Sequence, residues 1–406
     1  MIEGAGVGVL NFFSPATLGS KSASIFTSLA ILSNKKMVSL FGSSSKNCLG
    51  VDIGTSSIKI VELSKKGETT KLERYGEIFS EAVFEKSFRT FEKESLLLSG
   101  RDISRAISAI MKEAKISEKK AVFSIPDFSS FFTTFDLPTM TDEEVPQAVR
   151  FEARHHIPLP LAEVTIDWSI IKKEMIDQKR ARLKILLVAV PNEVIDQYQQ
   201  IALLSNLKLT ALEAEVFGLI RALIRDEEKT VLILDIGAQS SNLSIIDQNI
   251  LRSSYSFDVS ANEIIQILAK TFNIDFQIAE DMVKLYGMKP SDKIDSDFKI
   301  PSLVSPQKIK DVLTPFADLM AIEINRMSQS FSQTDKKEVG KIILAGGMAL
   351  LPGLKEYLAD YLRKEIEIAN PFSEIIYPPI LEQNLRELGP SYSVAVGIAL
   401  RGLELK

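Results

Sequence analysis

The sequence predicts a mixed α/β protein made of two related lobes, and three observations carry that prediction. An apolar strand running into Asp52-Ile53-Gly54, then a hydroxyl-rich turn and a further strand, is answered in the second half by Val231 to Gly237, with Asp235-Ile236-Gly237 in the same place and Ser240-Ser241 behind it. Such self-similarity marks a duplicated unit. The chain has 406 residues, about two to three times a typical domain length, so more than one core is expected. Strand-like and helix-like stretches then alternate along both halves, the pattern of sheets backed by helices.

Residues 1–46 are rich in Ser and Gly, poor in charge and without a sustained period, and are expected to form a poorly ordered extension. Met37 precedes Val-Ser-Leu-Phe-Gly and is the candidate native start, which would make the leader an artefact of the gene model. A peptide from the native cell containing residues 1–36 would dispose of that reading. Leu49 to Ile53 is apolar, Gly54-Thr55-Ser56-Ser57 breaks the run, and Ile58 to Leu63 resumes it, so a strand, a turn and a strand are expected. A third strand is expected near Tyr75 to Phe79. Ile103, Ala106, Ile107, Ile110, Met111 and Ala114 fall at helical spacing, and Ala121 to Ile125 read as a buried strand before Pro126.

Residues 127–178 differ in character, with Phe128, Phe131, Phe132 and Phe135 in strand material, a short helix, and the run Ile157-Pro158-Leu159-Pro160. They are expected to form a small inserted module. Its helix should open at Thr141, where Glu144 completes the spacing of a capping box, and Pro146 should kink or delay it. Leu183 to Val190 return to a continuous apolar strand, and helices are expected near 192–205 and 213–226. Late in the chain Lys341 to Leu344 read as a strand, Ala345-Gly346-Gly347-Met348 as a turn, and Leu354 to Leu362 as a helix entered through Pro352-Gly353. The resulting division is an extension (1–46), a first-lobe core (47–126 and 179–228) holding the module (127–178), a second-lobe core (229–255 and 336–406) and a helical subdomain (256–335).

Composition removes several function classes. Hydrophobic residues make up 45% and charged residues 25%, the balance of a globular chain that can bury cores. The 48 basic and 53 acidic residues leave a net charge of −5 with no clustered basic stripe, which argues against a nucleic-acid partner. Cys48 is the single cysteine, so an intramolecular disulfide and a cysteine-based metal site are both excluded, and a cytosolic setting is expected. No run reaches the roughly 18 apolar residues of a spanning helix, so any work at a membrane is expected to go through partners. The first 36 residues lack a signal-peptide layout.

The twin hairpins carry the chemistry. A tight turn favours a residue able to take positive φ, and Gly54 and Gly237 are expected to do so. Outward-facing amides would then form an anion-binding concavity, supplemented by the hydroxyls of Thr55, Ser56 and Ser57 in one turn and of Ser240 and Ser241 in the other. Phosphate is the natural guest. Asp52 and Asp235 would repel phosphate at contact distance, so their expected task is to hold Mg²⁺ through coordinated water. One Asp-Ile-Gly alone is an ordinary way to end a strand; two copies in register say more. Gly346 and Gly347 would let backbone approach a base or ribose closely.

These motifs resemble those of the actin and hexokinase superfamily, whose core is ribonuclease H-like, and within it the PilM family of type IV pilus assembly proteins, which is related to FtsA. The similar stretches are Leu40-Phe-Gly-Ser-Ser-Ser-Lys with Leu49-Gly-Val-Asp-Ile-Gly-Thr-Ser-Ser-Ile-Lys-Ile-Val-Glu-Leu-Ser, Phe151-Glu152-Ala153 leading to Ile157-Pro158, and Asp235-Ile-Gly-Ala-Gln-Ser-Ser-Asn-Leu-Ser. Leu344-Ala-Gly-Gly, Asn370-Pro371-Phe372 and Ala395-Val-Gly-Ile-Ala-Leu-Arg-Gly complete them, so the likeness covers residues 40–406. It implies an actin-like two-lobed ATPase fold with a small inserted subdomain of the FtsA and PilM type in the first lobe, and ATP with Mg²⁺ in the cleft.

By the same resemblance Asp52, Gly54, Thr55, Ser56 and Ser57 would form the first phosphate loop, and Asp235, Gly237, Ala238, Gln239, Ser240 and Asn242 the second. Gly346, Gly347 and Met348 would line the adenosine pocket. Glu280 and Lys284 would reach the nucleoside from the helical subdomain, with Glu323 and Arg326 as weaker candidates. Glu215 would position water or metal on the helix joining the lobes; hydrolysis is expected to be slow or absent. Each of these charged residues is equally readable as a solvated charge at helical spacing. The implied partner is the N-terminal tail of a PilN-like inner-membrane protein, together with other inner-membrane pilus components. Pro146 and the leader before Met37 depart from the family pattern and bear on the partner surface rather than on the nucleotide site.

Other readings were weighed against this one. His155 and His156 are adjacent, so they point about 100° apart on a helix and lack further ligands at metal spacing. Trp168 is expected to pack within the module. A sugar kinase on the same fold would need a further carboxylate base and, in one branch, a cysteine-rich zinc site. An FtsA-like division filament would end in an amphipathic membrane helix.

Overall fold

The computed structural model describes residues 46–80, 87–92, 95–175, 181–225, 229–289 and 304–405. The expected N-terminal extension up to residue 45 lies outside them. The first lobe opens with β1 (Lys46–Ile53), β2 (Ser57–Lys66) and β3 (Thr69–Phe79), then a short hairpin of β4 (Arg89–Glu92) and β5 (Ser95–Leu98), α1 (Gly100–Glu113) and β6 (Lys120–Ile125). The module follows with β7 (Phe131–Pro138), α2 (Val145–His156), β8 (Val164–Met175) and β9 (Ala181–Pro191), and α3 (Asn192–Leu204), β10 (Lys208–Ala214) and α4 (Glu215–Leu223) close the first half. The second half holds β11 (Val231–Ile236), β12 (Ser241–Asp247), β13 (Ile250–Phe257), α5 (Ala261–Phe272), α6 (Phe276–Tyr286) and α7 (Pro306–Asp335). It ends with β14 (Lys341–Ala345), α8 (Leu354–Leu362), β15 (Ile366–Ile368) and α9 (Glu382–Glu404).

The two large sheets have one topology. The first runs β10-β6-β1-β2-β3 and the second β15-β14-β11-β12-β13. In each, an antiparallel three-strand meander is extended by two parallel strands on the side of its first strand. The repeat noticed at two hairpins therefore extends to whole sheets.

Strand alternation places the cores. In β1 Leu49, Val51 and Ile53 join a core under α1 and α3, while Cys48 turns to the opposite face. In β11 Leu232, Leu234 and Ile236 join the core under α5 to α8, while Val231 and Ile233 turn inward with Cys48. This inward core holds residues of both sheets together with α4 and α9, including Leu219, Ala395 and Ile398. Both lobes thus rest on one pair of helices.

The module differs from expectation at its end. β9 was expected in the first-lobe core, but it is the central strand of a three-stranded sheet ordered β7-β9-β8. The strand pairing therefore runs past residue 178. The expected helix start also moves: α2 begins at Val145, and only half of the capping box forms, with the Glu144 carboxylate accepting from the Thr141 N–H at 2.9 Å. Pro146 falls in the first turn, where the amide it lacks has no intrahelical partner, so it delays the helix without kinking it. Trp168 packs against the module core. His156 stacks on Phe135 with centroids 5.0 Å apart, and His155 meets the ring of Phe151. β4, β5 and β10 were not foreseen.

Candidate functional site

Each hairpin turn is built by the same backbone bond. The Gly54 N–H donates to the Ser57 carbonyl at 2.9 Å, and the Gly237 N–H donates to the Ser240 carbonyl at 3.1 Å. The expected positive φ is absent at both glycines. The requirement for glycine is steric instead: a Cβ would lie 2.8 Å from the Ser57 carbonyl oxygen in one turn and 2.7 Å from that of Ser240 in the other. Neighbouring elements secure the outer carbonyls. Thr55 and Ser56 accept from the amides of Phe88 and Ser80, and Gly237 and Ala238 accept from Ala261 and Asn262 at the start of α5. None of these four bonds uses a turn amide.

The turns meet each other. The Thr55 hydroxyl donates to the side-chain carbonyl of Gln239 at 3.4 Å, across 184 positions of sequence. Gly346, at the end of β14, has φ of +84° and packs on the second turn so closely that a Cβ would lie 2.5 Å from an Asp235 carboxylate oxygen. Only glycine fits there. Gly347 faces open space, and Met348 is buried beside it.

Carboxylates gather behind the turns. Asp52 is buried and accepts from the Ser124 hydroxyl at 2.7 Å. Glu215 is buried at the first position of α4 and pairs with Arg89 at 2.7 Å. Asp127 is buried too: one oxygen accepts from the Val216 N–H at 3.1 Å, and the other has no partner among the described residues. That first bond caps α4, whose N-cap position holds Ala214, a residue with no capping side chain.

Proton affinities reflect the crowding. Burial, then the carboxylates of Glu215 and Asp52, push Asp235 up to about 7. Burial and the Glu215 charge hold Asp127 well above the usual carboxylate range. Glu215 is raised by burial, against the pull of Arg89. Burial is the largest influence on Arg89 and works against its charge, but Glu215, Tyr198 and Asp52 together outweigh it and keep the guanidinium above its ordinary value. Like charges this close disfavour simultaneous ionisation.

Three residues here escaped sequence reasoning. Arg89 also donates through Nε to the Thr55 hydroxyl at 3.4 Å, and its guanidinium lies 5.5 Å from the Phe128 ring centroid. Lys59 is buried, donates to the Ser57 hydroxyl at 2.6 Å and pairs with Glu77 at 3.1 Å. Asp127 is the third. Other expected contributors are committed elsewhere. The Ser241 hydroxyl, expected to serve phosphate, donates to the Val259 carbonyl at 2.5 Å, and Asn242 accepts from Ser256. Glu280 pairs with Lys284 at 2.7 Å one turn along α6, and Lys284 is exposed, so the pair lies on the surface of the helical subdomain. Glu323 pairs with Arg326, which lies over the Tyr255 ring.

The donor set fits a divalent cation held at one remove. Among the described residues no three His, Cys, Asp or Glu side chains form a direct metal cluster. Yet Asp127, Glu215 and Asp235 are all raised, the last two partly by the charge of Asp52, while Arg89 and Lys59 are the facing cations. Added positive charge bridged by water would relieve that excess.

Comparison with known proteins bears on this geometry. The family model described as type IV pilus assembly protein PilM matches residues 50–403. The cell division protein FtsA of Helicobacter pylori (strain J99) is 22% identical over 237 residues, 54% of this chain and 47% of that protein, so the chain spans about half of it. FtsA of Streptococcus pneumoniae (serotype 2, strain D39) is 19% identical over 372 residues, 80% of this chain and 78% of that protein. A chain of a solved PilM-PilN type IV pilus biogenesis complex superposes with a TM-score of 0.73 at 23% identity, covering 88% of this chain and 99% of that one. The ethanolamine utilization protein EutJ of Carboxydothermus hydrogenoformans gives a TM-score of 0.51 at 15% identity over 90% of this chain and 92% of its own. At these identities the structural likeness is one of fold, and that fold is the actin-like two-lobed one.

Proposed function

Because this chain belongs to the family of type IV pilus assembly protein PilM, we propose that it is an ATP-binding, actin-like scaffold of pilus assembly that docks the N-terminal tail of a PilN-like inner-membrane protein. The single observation that carries the nucleotide part is the Thr55–Gln239 bond, which brings two turns of identical construction face to face. In this reading the phosphate chain lies between them, received by the amides of residues 55–57 and 238–240, since those of Gly54 and Gly237 close the turns. Asp52 and Asp235 hold Mg²⁺ through water, Lys59 offsets phosphate charge from the floor of the first turn, and Gly347 and Met348 border the adenosine. The cation supplies neutralisation of phosphate oxygens; positioned water at Glu215 would be needed for turnover, which this reading keeps slow.

The partner part rests on the family and on the fold match to a chain solved with PilN. No helix among the described residues is long and apolar enough to cross a membrane, so in this reading the membrane is reached through the partner. A synthetic peptide copying the cytoplasmic N-terminal tail of a PilN-like protein tests both parts. Retention of the peptide on immobilised protein, changed by ATP with Mg²⁺ and insensitive to ATP in Asp52→Ala, supports the proposal. Absence of retention in every nucleotide state would remove the partner. The FtsA matches favour one second reading, a membrane-bound filament, which co-sedimentation with lipid vesicles in the absence of any partner would reveal.

A further inference from the structure

Arg89 stands in an unusual position. It leaves the first lobe on the short hairpin β4–β5, outside either phosphate turn, yet its side chain is only 11% exposed and ends among the carboxylates of the site. Its Nη1 lies 2.7 Å from Glu215 and its Nε 3.4 Å from the Thr55 hydroxyl, which itself contacts Gln239. The side chains Glu215, Arg89, Thr55 and Gln239 thus form one hydrogen-bonded chain from α4, through the first turn, to the second lobe. The guanidinium carbon also lies over the Phe128 ring, 5.5 Å from its centroid.

A guanidinium fixed in this way is a fork of donors suited to a phosphate group. In the nucleotide-binding reading Glu215 is the water-positioning residue, and that role places the phosphate. A residue that orients water for phosphoryl transfer faces the terminal phosphorus, because the water must attack in line with the leaving oxygen. Arg89 touches Glu215, so it too lies at the terminal end of the chain of phosphates. A diphosphate, anchored by the same two turns, stops short of it.

Resting on the nucleotide-binding reading above, we propose that Arg89 is the residue that distinguishes a nucleoside triphosphate from a diphosphate. Without nucleotide it is held by Glu215 and Thr55. With a triphosphate it turns one edge to the terminal phosphate, which weakens its hold on Glu215 and parts Thr55 from Gln239. The second lobe therefore senses the third phosphate through a residue carried by the first.

The test is the ratio of ATP to ADP affinity, read by calorimetric titration with Mg²⁺ on the full chain. Removal of Arg89 alone strands a buried carboxylate, so Arg89→Gln is paired with the double variant Arg89→Gln/Glu215→Gln, which removes both charges. Loss of one charge-assisted phosphate contact should lower the ratio about tenfold in both. Arg89→Lys, which keeps the charge but not the fork, should fall between. An unchanged ratio in a double variant that still binds both nucleotides overturns the proposal and leaves the nucleotide site standing. A wild-type chain that binds neither nucleotide removes the site and the proposal together.

Discussion

The two lobes share a sheet topology and a turn, yet they brace that turn differently. In the first lobe the outer carbonyls of the turn are held by Ser80 and Phe88, and a buried Lys59 lies beneath it on β2. In the second lobe the turn leans on the N-terminus of α5, whose Ala261 and Asn262 amides hold it, and Gly346 closes on Asp235 from β14. The acids differ accordingly: Asp52 is served by the Ser124 hydroxyl, whereas Asp235 is pushed up to about 7 by burial and its carboxylate neighbours. One duplicated unit has thus become a half that supplies fixed positive charge and a half whose acid is short of it. In the proposed nucleotide site, a cation shared between them would offset that asymmetry.

The largest expected effect strikes what the lobes have in common. α4 and α9 touch where a Cβ on Gly397 would lie 1.9 Å from the Gly218 carbonyl oxygen. Gly397→Ala should cost about 3 kcal/mol, the upper range for overpacking, seen in urea denaturation as earlier unfolding of both lobes in one transition. Next come the turns themselves. Gly54→Ala and Gly237→Ala each place a Cβ against a carbonyl at nearly equal distance, so each should cost about 1–2 kcal/mol and weaken ATP to a similar degree. A large inequality in titration calorimetry would break the equivalence of the two turns.

A smaller effect separates them. A carboxyl raised in the folded state binds its proton more tightly there than in the unfolded chain. Stability from Asp235 is therefore present below pH about 4 and lost as pH rises toward 7. Thermal denaturation of the nucleotide-free protein across this window should show that decline, and Asp235→Asn should flatten it. The smallest effect concerns Cys48, whose thiol burial pushes up to about 11. At pH 8 a disulfide reagent should leave the native protein unmodified and react only on unfolding.

Much of this was legible because it is local. The Asp-Ile-Gly hairpins, the strand at Lys341 and the helix at Leu354 follow from runs of neighbouring residues; the structure places the last two within a residue of expectation, and extends the outer ends of the first hairpin by three residues each, to Lys46 and Lys66. The module boundary was not legible, since β9 pairs with β8 and β7 only in space, and an apolar run is silent about which sheet receives it. Lys59 had a signal: a lysine between Ile58 and Ile60 in a strand buried on both faces needs a partner. Asp127 had one too, since it follows β6, which lies parallel to β1 and so ends beside Asp52. Arg89 had none, because its partner Glu215 is 126 positions away and β4 is too short to show a period. Conversely Glu280 and Lys284 had the spacing of a surface pair, and a surface pair is what they form.

The claim on which the rest depends is that both turns grip one phosphate chain. Amide hydrogen exchange, followed by mass spectrometry with and without ATP and Mg²⁺, reads each turn separately. Slowed exchange at residues 55–57 and 238–240 together, over the same range of nucleotide concentration, is the expected result. Protection of one turn while the other exchanges as in the free protein would contradict it.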